Sequence, residues 1–294
     1  MRNKKISDLI KDSIDFHVHV DPDPFHERSI DALALSYSAS QIGMKAVVIK
    51  SHHIGTAPLA YLVNKVNPEF LTIGSLVLNS AVGGINPEVV EVAASLGAKV
   101  IWMPTYSSIP DLERRKNSKA LIYSSKNAQD NGISIIDNKN QLISPLIKIL
   151  EIVKEYEIVI CTGHISIPEI YALVNETTKR KIKIVVTHPL TPIVGASLSL
   201  QQQVELVKKG AFIEHCFSAC LPFLGNLDPN ILVRHIKSVE AKNCILSTDS
   251  GLSIVPQPTE FFIYMLAIML KLGLSKNELE WMVKINPAKL LDLT

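Results

Sequence analysis

The chain is predicted to be an α/β protein, a (β/α)8 barrel with an insertion after the fourth strand, on three observations. Short apolar runs rich in Val and Ile alternate with segments of helical period along all 294 residues. Eight such runs are each followed by a helical segment, the crossover that neighbouring parallel strands require. The first run leads into Asp21-Pro22-Asp23-Pro24, not into the glycine-rich phosphate turn that a doubly wound open sheet would place there.

The strands are expected at 13–20, 46–50, 71–79, 98–105, 158–164, 183–188, 211–216 and 243–249. Helices are expected at about 29–42, 57–66, 87–96, 144–156, 167–180, 197–209, 228–241 and 258–272. Asn86-Pro87-Glu88 supplies an N-cap, a proline for the first helical position and an acid for the first turn, and Asp228-Pro229 repeats the device. Successive strand ends lie 24 to 35 residues apart, except for a step of 60 between Pro104 and His164. About thirty extra residues, roughly 105–143, therefore follow the fourth strand, on the face where barrel enzymes carry their sites. They contain Arg114-Arg115-Lys116 and an expected hairpin turning at Asp137 to Asn140, and fit either a substrate lid or an oligomer contact. No linker divides the chain, so residues 1–294 are expected to form a single barrel domain.

Composition narrows the function. A formal charge of +2 creates no bulk field for nucleic acid or an anionic membrane. Arg114-Arg115-Lys116 is short, has few aromatics around it and reads as a solvated loop. The apolar run 261–270 is too short to span a bilayer, and Asp8, Asp12 and Asp15 interrupt any signal-peptide core. Cys161, Cys216, Cys220 and Cys244 form no CxxC pair, which argues against a cysteine-based zinc site and for reduced core thiols. A cytoplasmic protein with a small-molecule partner is expected. The apolar helix 258–272 and the positive mean hydropathy point to a homo-oligomer.

The chemistry lies at the strand ends. His17 and His19 stand two apart, so they share a face and can reach one metal ion, while Phe16, Val18 and Val20 are expected to face the helices. His164, His188 and Asp249 end the fifth, sixth and eighth strands, and such ends converge on one pocket in a barrel. Imidazole and carboxylate without cysteine suit a divalent metal, zinc first, with manganese, iron or nickel also compatible. His52 shares a face with Lys50 if the second strand runs that far, and His52 and Glu214 are candidate substrate-binding residues. His26, His53 and His235 fall in loops or a helix and are given no role.

The HxH ending the first strand, the histidines ending the fifth and sixth, and the aspartate ending the eighth resemble the amidohydrolase superfamily of metal-dependent hydrolases. The closing segment INPAKLLDL is also similar to the Asn-Pro-Ala stretch near the end of many members. The resemblance implies that His17, His19 and His164 are metal ligands, and that His188 is a second-metal ligand or a donor to the substrate. It implies that Asp249 is a metal ligand and the general base that holds the attacking water. Many binuclear members carry a bridging carboxylated lysine or a glutamate on the fourth strand, where this chain reads Trp102-Met103-Pro104-Thr105. Lys50, on the second strand, is the one lysine among the strand ends. Buried and neutral, it could be carboxylated and bridge two ions; as an ammonium it could face an anionic substrate; or it could pair with Glu214. The expected activity is hydrolysis of a C–N or C–O bond of a small substrate, cyclic ones included, with one or two metal ions. A phosphoesterase of the PHP type and a non-catalytic barrel that binds a small molecule or metal are the alternatives.

Overall fold

The computed structural model describes residues 4–117 and 132–293. A helix α1 (Lys4–Ile10) precedes the barrel. Its strands are β1 (Ile14–His19), β2 (Ala46–Lys50), β3 (Leu71–Ile73), β4 (Ser75–Val77), β5 (Val100–Trp102), β6 (Val159–Cys161), β7 (Ile184–Val186), β8 (Phe212–Cys216) and β9 (Cys244–Ser247). Every ladder between them is parallel, in the order β1-β2-β3 and β4-β5-β6-β7-β8-β9. β3 and β4 are the two halves of the expected third strand, parted at Gly74. A Cβ there would lie 2.4 Å from Ala57 Cα, so the chain entering the next helix presses on the strand. The barrel closes where Asp249 N donates to His17 O and His19 N to Ser250 O, both at 2.9 Å.

The eight expected helices follow the eight barrel strands in turn. They are α2 (Ala32–Gln41), α3 (Ala57–Val66), α4 (Pro87–Ser95), α6 (Ser144–Glu155), α7 (Ile167–Arg180), α8 (Leu200–Lys208), α9 (Pro229–Val239) and α10 (Pro258–Lys271). The start signals act as read: Asn86 accepts from Glu88 N at the head of α4, and Asp228 from Asn230 N at the head of α9. No helix among the described residues is long and apolar enough to cross a membrane.

The insertion carries a further helix, α5 (Ile109–Asn117), and the expected hairpin, in which Ile136 bridges Leu142 and Asp137 N donates to Gln141 O at 2.9 Å. Residues 118–131 of the insertion lie outside those described. Arg115 corrects the expectation of a solvated loop: it stands on α5 with its guanidinium carbon 4.5 Å from the Tyr106 ring centroid. At the other end of the chain, α11 (Lys276–Glu280), a π-helical turn (Trp281–Ile285) and α12 (Asn286–Leu290) close the barrel floor. Asn286 Nδ2 donates to Ala241 O and Cys244 O at 3.1 and 2.6 Å, which seats Ala288, Leu290 and Leu291 against the inner core.

The barrel interior is a dry layer that includes Ile14, Phe16, Val48, Val100, Trp102, Val159 and Ile245. Phe16 departs from the expectation that it would face the helices. β1 pairs Asp15 with Val47 and Val18 with Ile49, so Phe16 and His17 together oppose the single residue Val48. This bulge turns both side chains inward. Phe16 packs edge-on to Trp102 at 6.5 Å, and His17 lies 5.4 Å from the same indole. Val18 and Val20 face the outer core as expected.

Two predictions follow from this packing. Gly251 has φ +127°, and a Cβ there would lie 2.0 Å from His19 O, whereas Gly97 has φ +88° with nothing within 4 Å. Gly97→Ala is expected to cost about 1–2 kcal/mol, the usual price of a left-handed residue, and Gly251→Ala at least about 3 kcal/mol, since the closing seam must also part. Urea unfolding of both variants measures the difference, and equal costs would refute it.

The second prediction concerns His215, which is 1% exposed on the outer side of β8 with neither ring nitrogen hydrogen-bonded. Burial, with a smaller push from His235, drives its pKa down to about 3. The unfolded chain takes up a proton near pH 6.5 that the folded chain refuses until much lower pH. Stability from this group is therefore complete above that pH and falls by about 1.4 kcal/mol per pH unit below it. In His215→Leu the slope of stability between pH 6 and pH 4 (about two units) should be shallower by that amount. An unchanged slope would contradict the assignment.

Candidate active site

His17 and His19 stand at the open end of β1, side by side with ring centroids 5.4 Å apart. Their Nε2 atoms converge on one carboxylate oxygen, Asp249 Oδ1, at 3.1 and 3.3 Å. The other Asp249 oxygen accepts from Ser218 Oγ at 3.0 Å. Burial would raise this carboxyl, but the facing imidazoles His17 and His19 hold it well below the usual carboxylate range. Across the cleft, His188 lies 6.1 Å from His17 and 5.0 Å from His164, centroid to centroid. The sequence-expected strand-end residues thus meet in one place.

Burial lowers the pKa of His19, His52, His164 and His188. His19 is driven well below its ordinary value by desolvation and then by the charge of Arg28; His188 by desolvation and His164; His52 by desolvation and Lys50. Neutral imidazole is the metal-ligating form. Nδ1 of both His19 and His188 is buried without a hydrogen-bond partner. His17, His19 and Asp249 bring one donor atom each within 4.8 Å of one another. Two imidazoles, a carboxylate and uncommitted buried nitrogens fit a divalent ion. His188 and Asp249 also take positive φ, 28° and 49°, costs of about 1–3 kcal/mol each that tend to gather at functional sites.

Lys50 is 1% exposed, and its Nζ lies 3.0 Å from His17 Nε2 and 5.1 Å from the Trp102 ring centroid. Burial lowers its pKa against the pull of Asp249 and Glu214. The pairing of Lys50 with Glu214 is not found, for no ion pair within 4.0 Å involves Lys50 among the described residues. Glu214 Oε1 instead lies 3.2 Å from His17 Nδ1 and accepts from Ser247 Oγ at 2.9 Å. It is fully buried behind His17 and does not line the cleft, which corrects its expected place at the substrate. The same rear pocket brings Cys216 Sγ to 3.7 Å from His17 Nδ1, so a cysteine does approach a histidine of the site. Its thiol is pushed well up by burial and by Glu214.

His52 does line the cleft, with Nδ1 2.8 Å from Thr105 Oγ1. Its ring stacks on Tyr106 at 3.8 Å and on His19 at 4.7 Å. With Arg115 above Tyr106, four planar groups form a column from the insertion down to the first strand. Asp111, in the first turn of α5, places Oδ1 3.3 Å from His164 Nδ1 and pairs with Arg115 at 3.4 Å. Neither Tyr106 nor Asp111 was expected in the site. Pro110-Asp111 is a helix-start signal that could have located α5, but nothing local points it toward His164. His26 and His53, given no role from sequence, gather with Asp23 at the rim, their donor atoms within 4.8 Å.

The cleft holds about 560 Å³ counted out to its open mouth, and Arg28, Lys50 and Asp249 are the charged residues of its lining. Arg28 reaches it from the loop after β1, which pairs with the loop after β9 through Arg28 and Leu252.

A search of curated proteins finds no match. Among solved structures, the chain is similar to an amidohydrolase from Pseudomonas aeruginosa, at 12% identity and TM-score 0.64 over 97% of this chain and 98% of that one. It is similar to a probable 2-pyrone-4,6-dicarboxylic acid hydrolase from Acinetobacter baumannii, at 14% identity and TM-score 0.61 over 96% and 99%. It is also similar to a probable dipeptidase from Pseudomonas aeruginosa, at 10% identity and TM-score 0.62 over 98% and 97%. These likenesses show the fold, a (β/α)8 barrel. Residues 12–214, more than half of the chain, match the model of a family described as one of unknown function, DUF6282, and the chain belongs to that family.

Proposed function

We propose that the cleft is the reaction centre of a metal-dependent hydrolase acting on a C–N or C–O bond of a small molecule. The observation that carries this reading is the convergence of His17 and His19 on Asp249 Oδ1 at 3.1 and 3.3 Å, at the mouth of a barrel. His17, His19 and Asp249 would hold one divalent ion, zinc being the first candidate, with His164 and His188 on the opposite wall. Such an ion, when bound, lowers the pKa of water from about 15.7 to about 7 and polarises a carbonyl oxygen.

The chain's own residues supply the rest. Asp249, anchored through Ser218, is placed to take a proton from the attacking water and return it to the leaving group. Glu214 orients His17 from behind through Nδ1, leaving Nε2 for the cleft. Asp111 places a carboxylate oxygen 3.3 Å from His164 Nδ1. His188 is assigned to the substrate's developing negative charge or to a second ion, and His52 to the substrate itself. The His17 Nε2 lone pair can serve the ion or the Lys50 ammonium, not both. Lys50 therefore turns toward the substrate or becomes a ligand when the site is loaded. Two fold neighbours, an amidohydrolase and a probable 2-pyrone-4,6-dicarboxylic acid hydrolase, support the reaction class.

Metal content per chain, by plasma mass spectrometry on protein purified without added metal or chelator, tests the reading. About one ion is expected in the wild type, and less than about a fifth of that in His19→Ala, since removing one of three ligands forfeits most of the affinity. A variant that keeps both ion and hydrolysis, or a wild type that takes up none on reconstitution, would overturn it. For Lys50→Met, we expect the ion to stay and substrate affinity to drop. Two ions in the wild type, falling to one or none in this variant, would make Lys50 a carboxylated bridging ligand instead.

A further inference from the structure

Arg28 is 7% exposed, and its side chain is almost wholly enclosed, yet it sits on a loop. Asp23 takes its Nε at 3.0 Å and also its Nη2. The carboxylate is fixed in turn by the backbone N–H groups of Phe25 and His26, each at 3.0 Å. The backbone of this loop is pinned as well: Arg28 bridges Leu252, Ser29 N donates to Gly251 O at 2.9 Å, and Ser253 N to Glu27 O at 3.1 Å. Arg28 is thus locked against the loop that follows Asp249.

A buried ion pair is an expensive way to fill space, because an apolar pair of the same volume is commonly as stable or more so. The arrangement does something an apolar pair could not. A guanidinium has five N–H donors, and Asp23 engages two nitrogens with one N–H each. The remaining donors have no protein partner among the described residues, and Arg28 lines the cleft. The same cleft is also lined by the apolar residues Val194, Leu224 and Leu252. A rigid planar fork of free donors in a cleft that also has apolar lining is suited to an oxyanion attached to a hydrocarbon body.

We propose that Arg28, held by Asp23, is the anchor for the substrate's anionic group, a carboxylate or a phosphate, and that the substrate is a small organic anion with an apolar body. This rests on the cleft being the reaction site, as proposed above, but its test does not depend on a metal.

Isothermal titration of benzoate, succinate and phenyl phosphate into the full chain, as purified and after chelator treatment, tests the assignment. Binding is expected in both preparations, and the stripped protein removes direct ligation of the probe by an ion. Arg28→Met should weaken the best probe at least about tenfold, the value of a charge-assisted pair, while metal content per chain stays at the wild-type level. Arg28→Lys should restore part of the loss. Asp23→Asn, which frees the guanidinium without removing it, should also weaken binding, and serves if Arg28→Met does not fold. Benzoate or succinate binding tighter than phenyl phosphate assigns a carboxylate, and the reverse a phosphate. Wild type that binds none of the three, or Arg28→Met that binds as wild type, would overturn the proposal. A protein that takes up no metal yet binds these anions through Arg28 would sink the hydrolase reading and leave this one standing.

Discussion

The bulge in β1 is the constraint on which the site depends. A regular strand could send either Phe16 or His17 into the barrel, never both, because neighbours point to opposite faces. By setting Phe16 and His17 together against Val48, the strand completes the dry layer and starts the polar one within two residues. Phe16 and Trp102 form the floor, and His17 rests on it with Nδ1 toward Glu214 and Nε2 toward the cleft. His19, two residues on, inherits the inward direction. The pair can therefore converge on Asp249 across the closing seam.

The insertion acts as a wall of the site. Asp111 reaches His164, and Arg115, Tyr106, His52 and His19 stack from α5 inward. Aromatic and guanidinium stacking of this kind favours fixed ring planes over a free rotor, and each contact is worth on the order of 1 kcal/mol. Two histidines on different strands are thereby oriented from one short helix. The sequence left the insertion as either a substrate lid or an oligomer contact; its described part supplies Tyr106 to the lining of the cleft.

The site is costly to the fold. Neutral imidazoles are buried with nitrogens unpaired, two of its residues take left-handed backbone conformations, and a lysine is enclosed without a counter-ion within 4.0 Å among the described residues. Apolar contacts in the layers above and below offset these terms. Seams such as Gly251 on His19 leave the backbone little room to relax. Unpaired, neutral and rigid donors are what a ligand needs to find, so the cost and the function have one origin.

The barrel itself was legible in the sequence. Period-2 and period-3.6 patterns are local, and eight repeats of them leave little choice of topology, so the strand and helix order, the insertion and the His17, His19, His164, His188 and Asp249 set all follow from residue spacing. Phe16 escaped because a bulge breaks the strict alternation on which face assignment relies, and its signal lies in the register with β2. Glu214 was expected at the substrate because strand-end position says which pocket a residue approaches, not which side of a neighbouring imidazole it occupies. Asp111, Tyr106 and Arg28 are decided by loops, whose path is set by contacts distant in sequence: Asp111 with His164, Tyr106 with His52, Arg28 with Leu252. Periodicity determines which side chains enter the barrel mouth; only three-dimensional packing decides which of their nitrogens and oxygens are left free to act.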